Sequence, residues 1–306
     1  GLGGEPQYSE EYRSLGARLT SALHSRYGLP ENDVVWLGED SAAQSPMYHG
    51  ESTVENVHRT FDQLAQTVKP GEQVVVILIG HGSGEGADSK FSMPGPDMSA
   101  TDFAQLLGRF RAQRTAFIDL TDASGDMLPV LSDSNRVVIT ATKTAFERNE
   151  SVFAKFFVDA LAEDGADTDK DGRVSLLEAY QYASAETKRS YDDTGRLMTE
   201  HAQLDDDDAK AGAAAPDGRS GEGMLARRFF LDGGGAAARA AASDPRLAKL
   251  YTDQFGFEEQ IDALKRKKAT MSPDAYDDQL EQLLLSLART SREIRRIESG
   301  GGGGGI

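Results

Sequence analysis

The sequence contains no cysteine, which excludes disulfide bonds, thiolate metal ligands and thiol nucleophiles. Basic residues are also scarce: 33 Lys and Arg stand against 50 Asp and Glu among 306 residues, so the formal net charge is −17. Nucleic-acid binding needs a basic face that releases counterions, and the densest basic run here is Lys265–Lys268. No nucleic-acid partner is therefore expected.

Long hydrophobic runs are missing as well. The longest, Val74–Ile79, has the length of a strand and ends at Gly80, whereas a membrane-spanning helix needs about 20 apolar residues. No transmembrane segment is expected. The sequence starts at Gly1, without an initiator Met or a signal peptide, and this predicts that an upstream segment, with any localisation signal, is absent from it.

Short β-branched runs alternate with amphipathic stretches of helical length over the first two hundred residues, and this pattern predicts an α/β fold with a mostly parallel central sheet. The predicted strands are Asp33–Leu37, Gln73–Ile79, Thr115–Asp119 and Arg136–Thr142, and the predicted helices are Glu10–Tyr27, Thr53–Val68, Ala100–Phe110 and Val152–Glu163. Because Val74–Ile79 is continuously apolar, we expect it at the centre of the sheet. Functional residues are expected in the loops beyond the carboxyl ends of the strands, at His81–Gly86, Thr121–Asp126 and Lys143–Asn149.

The character of the sequence changes after Glu200. The acidic run Asp205–Asp208 leads into Ala211–Gly223, whose small and polar residues predict a mobile loop. Leu225–Leu231 is a candidate for a further strand. The glycines and alanines of 233–243 predict a linker, so that one domain is expected over 1–232.

A helical hairpin is predicted over 244–298. Apolar residues recur at spacings of three and four in both halves, and Ser272 and Pro273 between the halves are typical of a helix start. The two apolar stripes either pack on each other or form a surface for an oligomer or a protein partner. The glycine-rich tail, 299–306, is expected to be disordered.

The segment 167–178 matches a twelve-residue EF-hand loop at every ligand position, and this predicts a Ca²⁺ site. The candidate ligands are the side chains of Asp167, Asp169, Asp171, Ser175 and Glu178 and the carbonyl of Arg173. The alternative is an Asp-rich turn that caps the following helix without a metal. A single loop favours structural rather than regulatory calcium. Asp205–Asp208 is either a second, weaker cation site or a solvated acidic loop.

Two motifs follow predicted neighbouring strands. Ile79-Gly-His81-Gly82-Ser-Gly84 follows one strand, and Phe117-Ile-Asp-Leu-Thr-Asp122-Ala-Ser124-Gly125 ends the next. Here the chain resembles the caspase-like clan of cysteine peptidases, most closely its bacterial legumain-type branch, up to about residue 201. The resemblance implies a caspase-like three-layer sandwich. It also implies that His81 corresponds to the general base, Gly82 to an oxyanion-hole donor and Asp122 to the position of the nucleophilic cysteine.

Asp122 departs from the family pattern, because a carboxylate is a poor nucleophile toward an amide. We therefore expect a pseudo-peptidase. In the third loop, the resemblance implies specificity residues: Glu147 and Arg148 either contact a charged side chain of a bound peptide or pair with each other, and the pair is slightly favoured. The resemblance further implies a first sheet strand upstream of Gly1 and an extracytoplasmic protein, either periplasmic or secreted.

Three functions fit these observations. The first is an inactive, calcium-stabilised domain that binds a protein or peptide and assembles through the hairpin. The second is a hydrolase that has moved its nucleophile to Ser124 or Thr121, with His81 as the base. The third is a purely structural subunit whose cleft is vestigial.

Overall fold

The structure of the protein is a computed structural model, which describes residues 1–39, 47–69, 72–149, 151–170, 172–219, 221–232, 244–266 and 268–300. The chain divides into two compact units between Gly233 and Gly234. The predicted linker at 233–243 lies outside the described residues, as do Asp171 and residues 301–306 of the predicted tail.

The described residues form a mixed α/β fold, as predicted. The helices are α1 (Pro6–Ser25), α2 (Val54–Thr67), α3 (Ala100–Leu107), α4 (Leu128–Leu131), α5 (Val152–Ala162), α6 (Leu176–Thr194), α7 (Pro245–Arg266) and α8 (Pro273–Gly300). The strands are β1 (Trp36–Gly38), β2 (Tyr48–Glu51), β3 (Gln73–Leu78), β4 (Gly82–Ser83), β5 (Lys90–Phe91), β6 (Met98–Ser99), β7 (Arg114–Asp119), β8 (Arg136–Thr140) and β9 (Gln203–Asp205). Short 3₁₀ helices lie at Glu31–Asp33, Gly86–Asp88, Ser124–Met127, Ala226–Arg228 and Lys268–Thr270.

The largest sheet has the strand order β3-β7-β8-β9. β3, β7 and β8 run parallel, whereas β9 runs antiparallel to β8. The other sheets are the parallel pair β1-β2 and the antiparallel β4-β5-β6. Over the three sheets of the described residues, three strand pairs are parallel and three are antiparallel, so the strands form mixed sheets instead of the mostly parallel sheet that was expected. The antiparallel strand β9 was not predicted because Gln203–Asp205 contains no β-branched residue and its sequence pattern does not indicate a strand.

Within the described residues, β3 is an edge strand of this sheet rather than its centre. Its residues alternate between the two cores: Val74 and Leu78 are buried in one, and Val75 and Ile77 pack against the other. A continuous apolar run indicates that both faces of a strand are covered, but it does not determine whether both edges are paired. The centre is formed by β7 and β8, whose side chains are almost completely buried.

Helices cover both faces of the four-stranded sheet. Ala116 and Ile118 of β7 lie in a core with residues of α1, α5 and α6. Phe117, which points to the opposite face, lies in a core with residues of α2, α3 and α4. Phe117 is 0% exposed, and full burial of a side chain of this size stabilises the fold by about 1.5–3 kcal/mol.

Polar caps set the starts of several helices. The hydroxyls of Thr53 and Ser151 accept hydrogen bonds from the first turns of α2 and α5. α3 begins with a reciprocal capping box between Ser99 and Asp102. Such caps satisfy backbone N–H groups that have no partner within the helix, and each contributes about 1 kcal/mol.

The second unit is an antiparallel pair of helices. Leu247, near the start of α7, is buried with Ile294, near the end of α8, and Leu250 and Ile297 pack around them. The stripes thus pack on each other along at least part of their length. Ser299 and Gly300, expected in the disordered tail, end α8 instead.

The prediction of a strand at Leu225–Leu231 is wrong for most of that segment. Its first part contains the 3₁₀ helix Ala226–Arg228. Only Phe230 makes a β-bridge, antiparallel to Ser175.

Candidate functional site

The loops after β3 and β7 bring His81 and Asp122 together. The two strands are parallel neighbours, and Leu78 pairs in register with Asp119, so both loops leave the sheet at the same edge. His81 Nδ1 lies 3.3 Å from Asp122 Oδ1, and the two side chains are 29% and 12% exposed. The pair that the sequence motifs predicted to meet therefore does meet.

The backbone amide of Gly82 contacts the same carboxylate. It donates a hydrogen bond to Asp122 Oδ1 at 2.8 Å. A side chain at this position would overlap with the carbonyl oxygen of Asp122, so the close approach requires glycine. One carboxylate oxygen thus contacts both groups that the resemblance assigns to the base and to the oxyanion hole.

Tyr8 and Tyr12 of α1 enclose the imidazole, and sequence reasoning missed them. The ring centroids lie 5.2 and 5.3 Å from that of His81, in edge-to-face geometry. The Tyr12 hydroxyl lies 3.2 Å from Nε2 and 3.3 Å from Nδ1. Their spacing of four residues places both rings on one face of the helix, but it does not reveal that this face meets the loop after β3.

The turn that carries Asp122 is fixed by the third loop. Ala123 adopts a left-handed conformation, with φ of 54°, which is uncommon for a non-glycine residue. Its amide donates a hydrogen bond to the Glu147 carbonyl at 2.9 Å. A side chain at Gly125 would overlap with the backbone of Lys143. The position of Asp122 is therefore defined by contacts between loops, not by β7 alone.

The hydroxyls considered as relocated nucleophiles have other partners. The Ser124 hydroxyl lies 3.1 Å from the Thr142 hydroxyl and accepts a hydrogen bond from the Thr142 amide at 3.2 Å, and Ser124 is 1% exposed. The Thr121 hydroxyl donates to Asp119 at 2.6 Å, and Thr121 is 0% exposed. This geometry does not favour either hydroxyl as a nucleophile.

Asp119, at the end of β7, is a completely buried acid beneath the site. Its Oδ1 accepts from the amide and hydroxyl of Thr121, while Oδ2 has no hydrogen-bond partner within the described part of the chain. Burial raises the pKa of Asp119 to about 7; the hydrogen bonds from Thr121 oppose this rise, and the charge of Asp122 adds to it. Asp119 therefore changes protonation near neutral pH.

Glu147 and Arg148 do not pair with each other. Glu147 Oε1 lies 2.7 Å from His201 Nδ1, and Oε2 accepts hydrogen bonds from the amides of Lys143 and His201. Arg148 contacts Glu85 at 3.6 Å and donates to the Ala145 carbonyl. The favoured mutual pair is thus replaced by contacts with other parts of the chain, because the Glu147 carboxylate is already bound by Lys143 and His201.

The predicted calcium loop brings three of its acids together. Single carboxylate oxygens of Asp167, Asp169 and Glu178 all lie within 4.8 Å of one another. Gly172 has φ of 84°, a conformation that suits the glycine of a tight cation-binding loop. Asp167 Oδ1 is buried and has no hydrogen-bond partner among the described residues. A cation would satisfy this oxygen, so the residues present fit a hard divalent ion. Asp171 lies outside the described residues.

Glu178 also caps α6. Its Oε2 accepts hydrogen bonds from the amide and hydroxyl of Ser175, and Oε1 accepts from the amide and hydroxyl of Thr168. Burial alone would raise the pKa of Glu178, but the hydrogen bonds from Ser175 and Thr168 outweigh it and hold the pKa below its ordinary value. The carboxylate is therefore charged and oriented across the loop, which fits both the calcium hypothesis and the capping alternative.

The acidic run at 205–208 is only partly solvated. Asp205 and Asp206 are 0% and 4% exposed. Asp206 accepts hydrogen bonds from the amides of Gly223, Leu225 and Ala226 at 2.8 Å each, which joins the acidic segment to the residues that follow the predicted mobile loop. The solvated-loop interpretation is therefore wrong for these two residues, because backbone amides draw the carboxylate inward.

Oxygens of Asp205, Asp207 and Glu222 form a second acidic group, within 4.8 Å of one another. Burial raises the pKa of Glu222, so protons can relieve the repulsion among these acids. The group therefore does not by itself indicate a metal.

No protein-family model matches the chain, and no curated protein matches it. The resemblance to caspase-like peptidases thus stays a prediction from the motifs. Of the described helices, none combines the length and the apolar character that crossing a membrane requires.

Proposed function

We propose that the protein is a catalytically inactive, caspase-like pseudo-peptidase of the legumain type, which binds a protein or peptide partner and is stabilised by Ca²⁺. The observation that carries the proposal is the double contact of Asp122 Oδ1, 3.3 Å from His81 Nδ1 and 2.8 Å from the Gly82 amide. In a thiol peptidase the base acts on the nucleophilic thiol, and the oxyanion donor acts on the substrate carbonyl. Here both contact a carboxylate of the protein itself.

Asp122 disables the chemistry in two ways. A carboxylate attacks an amide poorly and would give an anhydride instead of a stable acyl-enzyme. Asp122 Oδ1 also accepts a hydrogen bond from the Gly82 amide and lies 3.3 Å from His81 Nδ1, so the protein's own carboxylate occupies the groups that a hydroxyl nucleophile and its substrate would need. The buried hydroxyls of Ser124 and Thr121, which are bonded to Thr142 and Asp119, support the same conclusion.

The rim of this site is suited to binding rather than turnover. His81, Tyr8 and Tyr12 are each partly exposed and form an aromatic surface beside Asp122. Aromatic side chains of this kind are enriched where proteins bind one another. Arg148, 57% exposed, is the residue of the third loop that we propose for contact with an acidic partner side chain, since Glu147 is held by His201.

We propose that Ca²⁺ binds to Asp167, Asp169, Asp171, Ser175 and Glu178 and to the carbonyl of Arg173. When bound, the ion supplies charge compensation to a loop whose acids otherwise repel one another. The ligands lie at the start of α6, which packs in the core behind β7, so the ion has a structural role. An extracytoplasmic location, where calcium is abundant, is part of this proposal.

The substitution Asp122→Cys tests whether Asp122 stands at the nucleophile position. Because the chain has no cysteine, the introduced thiol is the only one in the protein. A cationic imidazole nearby lowers the pKa of a thiol below its ordinary value of about 8.5. We expect iodoacetamide to alkylate this variant several-fold faster at pH 6 than it alkylates Asp88→Cys, which carries its thiol at the exposed end of the 3₁₀ helix Gly86–Asp88.

Adding His81→Ala to the Asp122→Cys variant should remove the fast alkylation at pH 6. The rate is measured by mass spectrometry from pH 5 to 9. If Asp122→Cys reacted like Asp88→Cys at every pH, with or without His81, then Asp122 would not correspond to a nucleophile and the proposal would fail.

A further inference from the structure

Arg173, within the predicted calcium loop, is bound to a distant part of the chain. Its guanidinium donates to both oxygens of Asp232, at 2.6 Å from Nη2 and 3.3 Å from Nε. The two side chains are only 14% and 4% exposed. The guanidinium also lies over the ring of Phe230, 3.6 Å from its centroid. An arginine contact that is bidentate, stacked on an aromatic ring and shielded from water is strong and specific.

Backbone contacts join the same two segments. Ser175 and Phe230 form an antiparallel bridge, and the Leu176 amide donates to the Phe229 carbonyl at 2.9 Å. Phe229 and Leu231 are 0% and 6% exposed. Residues 229–232, named the strap below, therefore contact the second half of the predicted calcium loop through one β-bridge and one further backbone hydrogen bond.

A short series of contacts links the strap to the acidic side chains of the predicted calcium loop. The strap pairs with Ser175, whose amide and hydroxyl donate to Glu178 Oε2 at 2.9 Å. The other oxygen of Glu178 accepts from Thr168, between Asp167 and Asp169. Ser175 thus takes part both in the bridge to the strap and in the hydrogen bonds that orient Glu178.

We propose that the strap completes the cation-binding loop, so that cation binding at 167–178 and docking of residues 229–232 stabilise each other. This inference rests on the calcium binding of the proposed function. The strap supplies a backbone pairing partner to the second half of this single loop. Coupling between two binding events is reciprocal. A bound cation must therefore stabilise the contacts of the strap, and loss of those contacts must weaken cation binding.

Calorimetric titration of the full chain with CaCl₂ tests the coupling. Asp232→Asn removes the ion pair, and Arg173→Lys keeps the charge but loses the fork and the stacking. We expect each variant to bind Ca²⁺ about five-fold or more weakly than the wild type. Asp164→Asn is the matched control: it makes the same change in charge close to the loop but breaks only the exposed pair with Arg26, and its affinity should be unchanged.

Hydrogen exchange of the Leu176 amide supplies the reciprocal measurement. Ca²⁺ should slow this exchange in the wild type and in Asp164→Asn, and should slow it much less in Asp232→Asn and Arg173→Lys. If the effect of Asp232 were purely electrostatic, Arg173→Lys would bind Ca²⁺ as tightly as the wild type, and this result would overturn the proposal.

If Asp232→Asn fails to fold, Arg173→Lys carries the same expectation. Equal affinities in the wild type and both variants would overturn the coupling alone, whereas a wild type that binds no Ca²⁺ at millimolar concentration would overturn the calcium proposal as well.

Discussion

Asp122 Oδ1 accepts a hydrogen bond from the Gly82 amide at 2.8 Å. The resemblance implies that this amide would donate a hydrogen bond to a reacting substrate. In this protein it donates to a carboxylate of the protein itself. The same oxygen lies 3.3 Å from His81, so a single side chain links the loops that follow β3 and β7. The contact stabilises the arrangement of the loops, and it leaves the aromatic rim of Tyr8 and Tyr12 as the accessible part of the site.

Glu178→Gln should weaken Ca²⁺ binding about 10-fold or more, since it removes a charged ligand from the cation group. Gln retains the acceptor that a capping box needs, so the cap of Ser175 on α6 should persist. The measurement is calorimetric titration of chelator-stripped protein, together with circular dichroism for helix content.

Glu163→Gln is the matched control, because Glu163 is 59% exposed and contacts only Arg18 among the ion pairs of the described residues. Its calcium affinity should equal that of the wild type. Equal affinities for Glu178→Gln and Glu163→Gln would favour the interpretation of 167–178 as a capping turn without a metal.

Asp119→Asn should change the pH dependence of stability. The folded pKa of Asp119, raised by burial to about 7, exceeds the ordinary value of 3.8. The native state therefore holds its proton more tightly than the unfolded state, and the stability from this group is complete below pH 3.8 and is lost as the pH rises to about 7. Asn does not ionise and still accepts the hydrogen bonds of Thr121.

The comparison is between free energies of unfolding in urea at pH 5 and pH 8 for both proteins. Between pH 5 and pH 8, the free energy of unfolding of Asp119→Asn should rise by about 2–3 kcal/mol relative to that of the wild type. A difference between the two proteins that is the same at both pH values would mean that Asp119 does not titrate in this range.

The second unit should mediate self-association through two leucines of α8. Leu284 and Leu285 are 47% and 48% exposed, whereas Leu247 and Ile294 are buried within the hairpin. Replacing both with Gln should shift the mass measured by light scattering toward that of the monomer. Leu197→Gln, at a leucine that is 88% exposed in the first unit, should leave the mass unchanged. A wild type that is monomeric at high concentration would contradict this prediction.

The sequence was sufficient to locate most helices and parallel strands. Capping residues such as Ser151 and continuous β-branched runs such as Val74–Ile79 act locally, and their elements begin and end within a few residues of the predicted bounds. The meeting of His81 and Asp122 was also predictable, because parallel neighbouring strands deliver their loops to one edge.

Long-range contacts could not be predicted in this way. Asp205 is buried in β9 because a returning strand covers β8, and nothing in a run of aspartates indicates that. Arg173 contacts Asp232 across 59 positions, and Tyr12 contacts His81 across 69. Such pairs depend on how whole elements pack, which periodicity and spacing do not specify.

The most direct test of the central claim is whether the wild-type protein cleaves peptides. The full chain is incubated with a diverse peptide library, with and without Ca²⁺, and new termini are detected by mass spectrometry. Because the proposal places Asp122 at the nucleophile position, and because Asp122 contacts both His81 and the Gly82 amide, we expect no cleavage above that of a heat-inactivated sample. Cleavage that is abolished by His81→Ala and also by Ser124→Ala, with both variants folded, would contradict the account and identify the protein as a hydrolase with a relocated nucleophile.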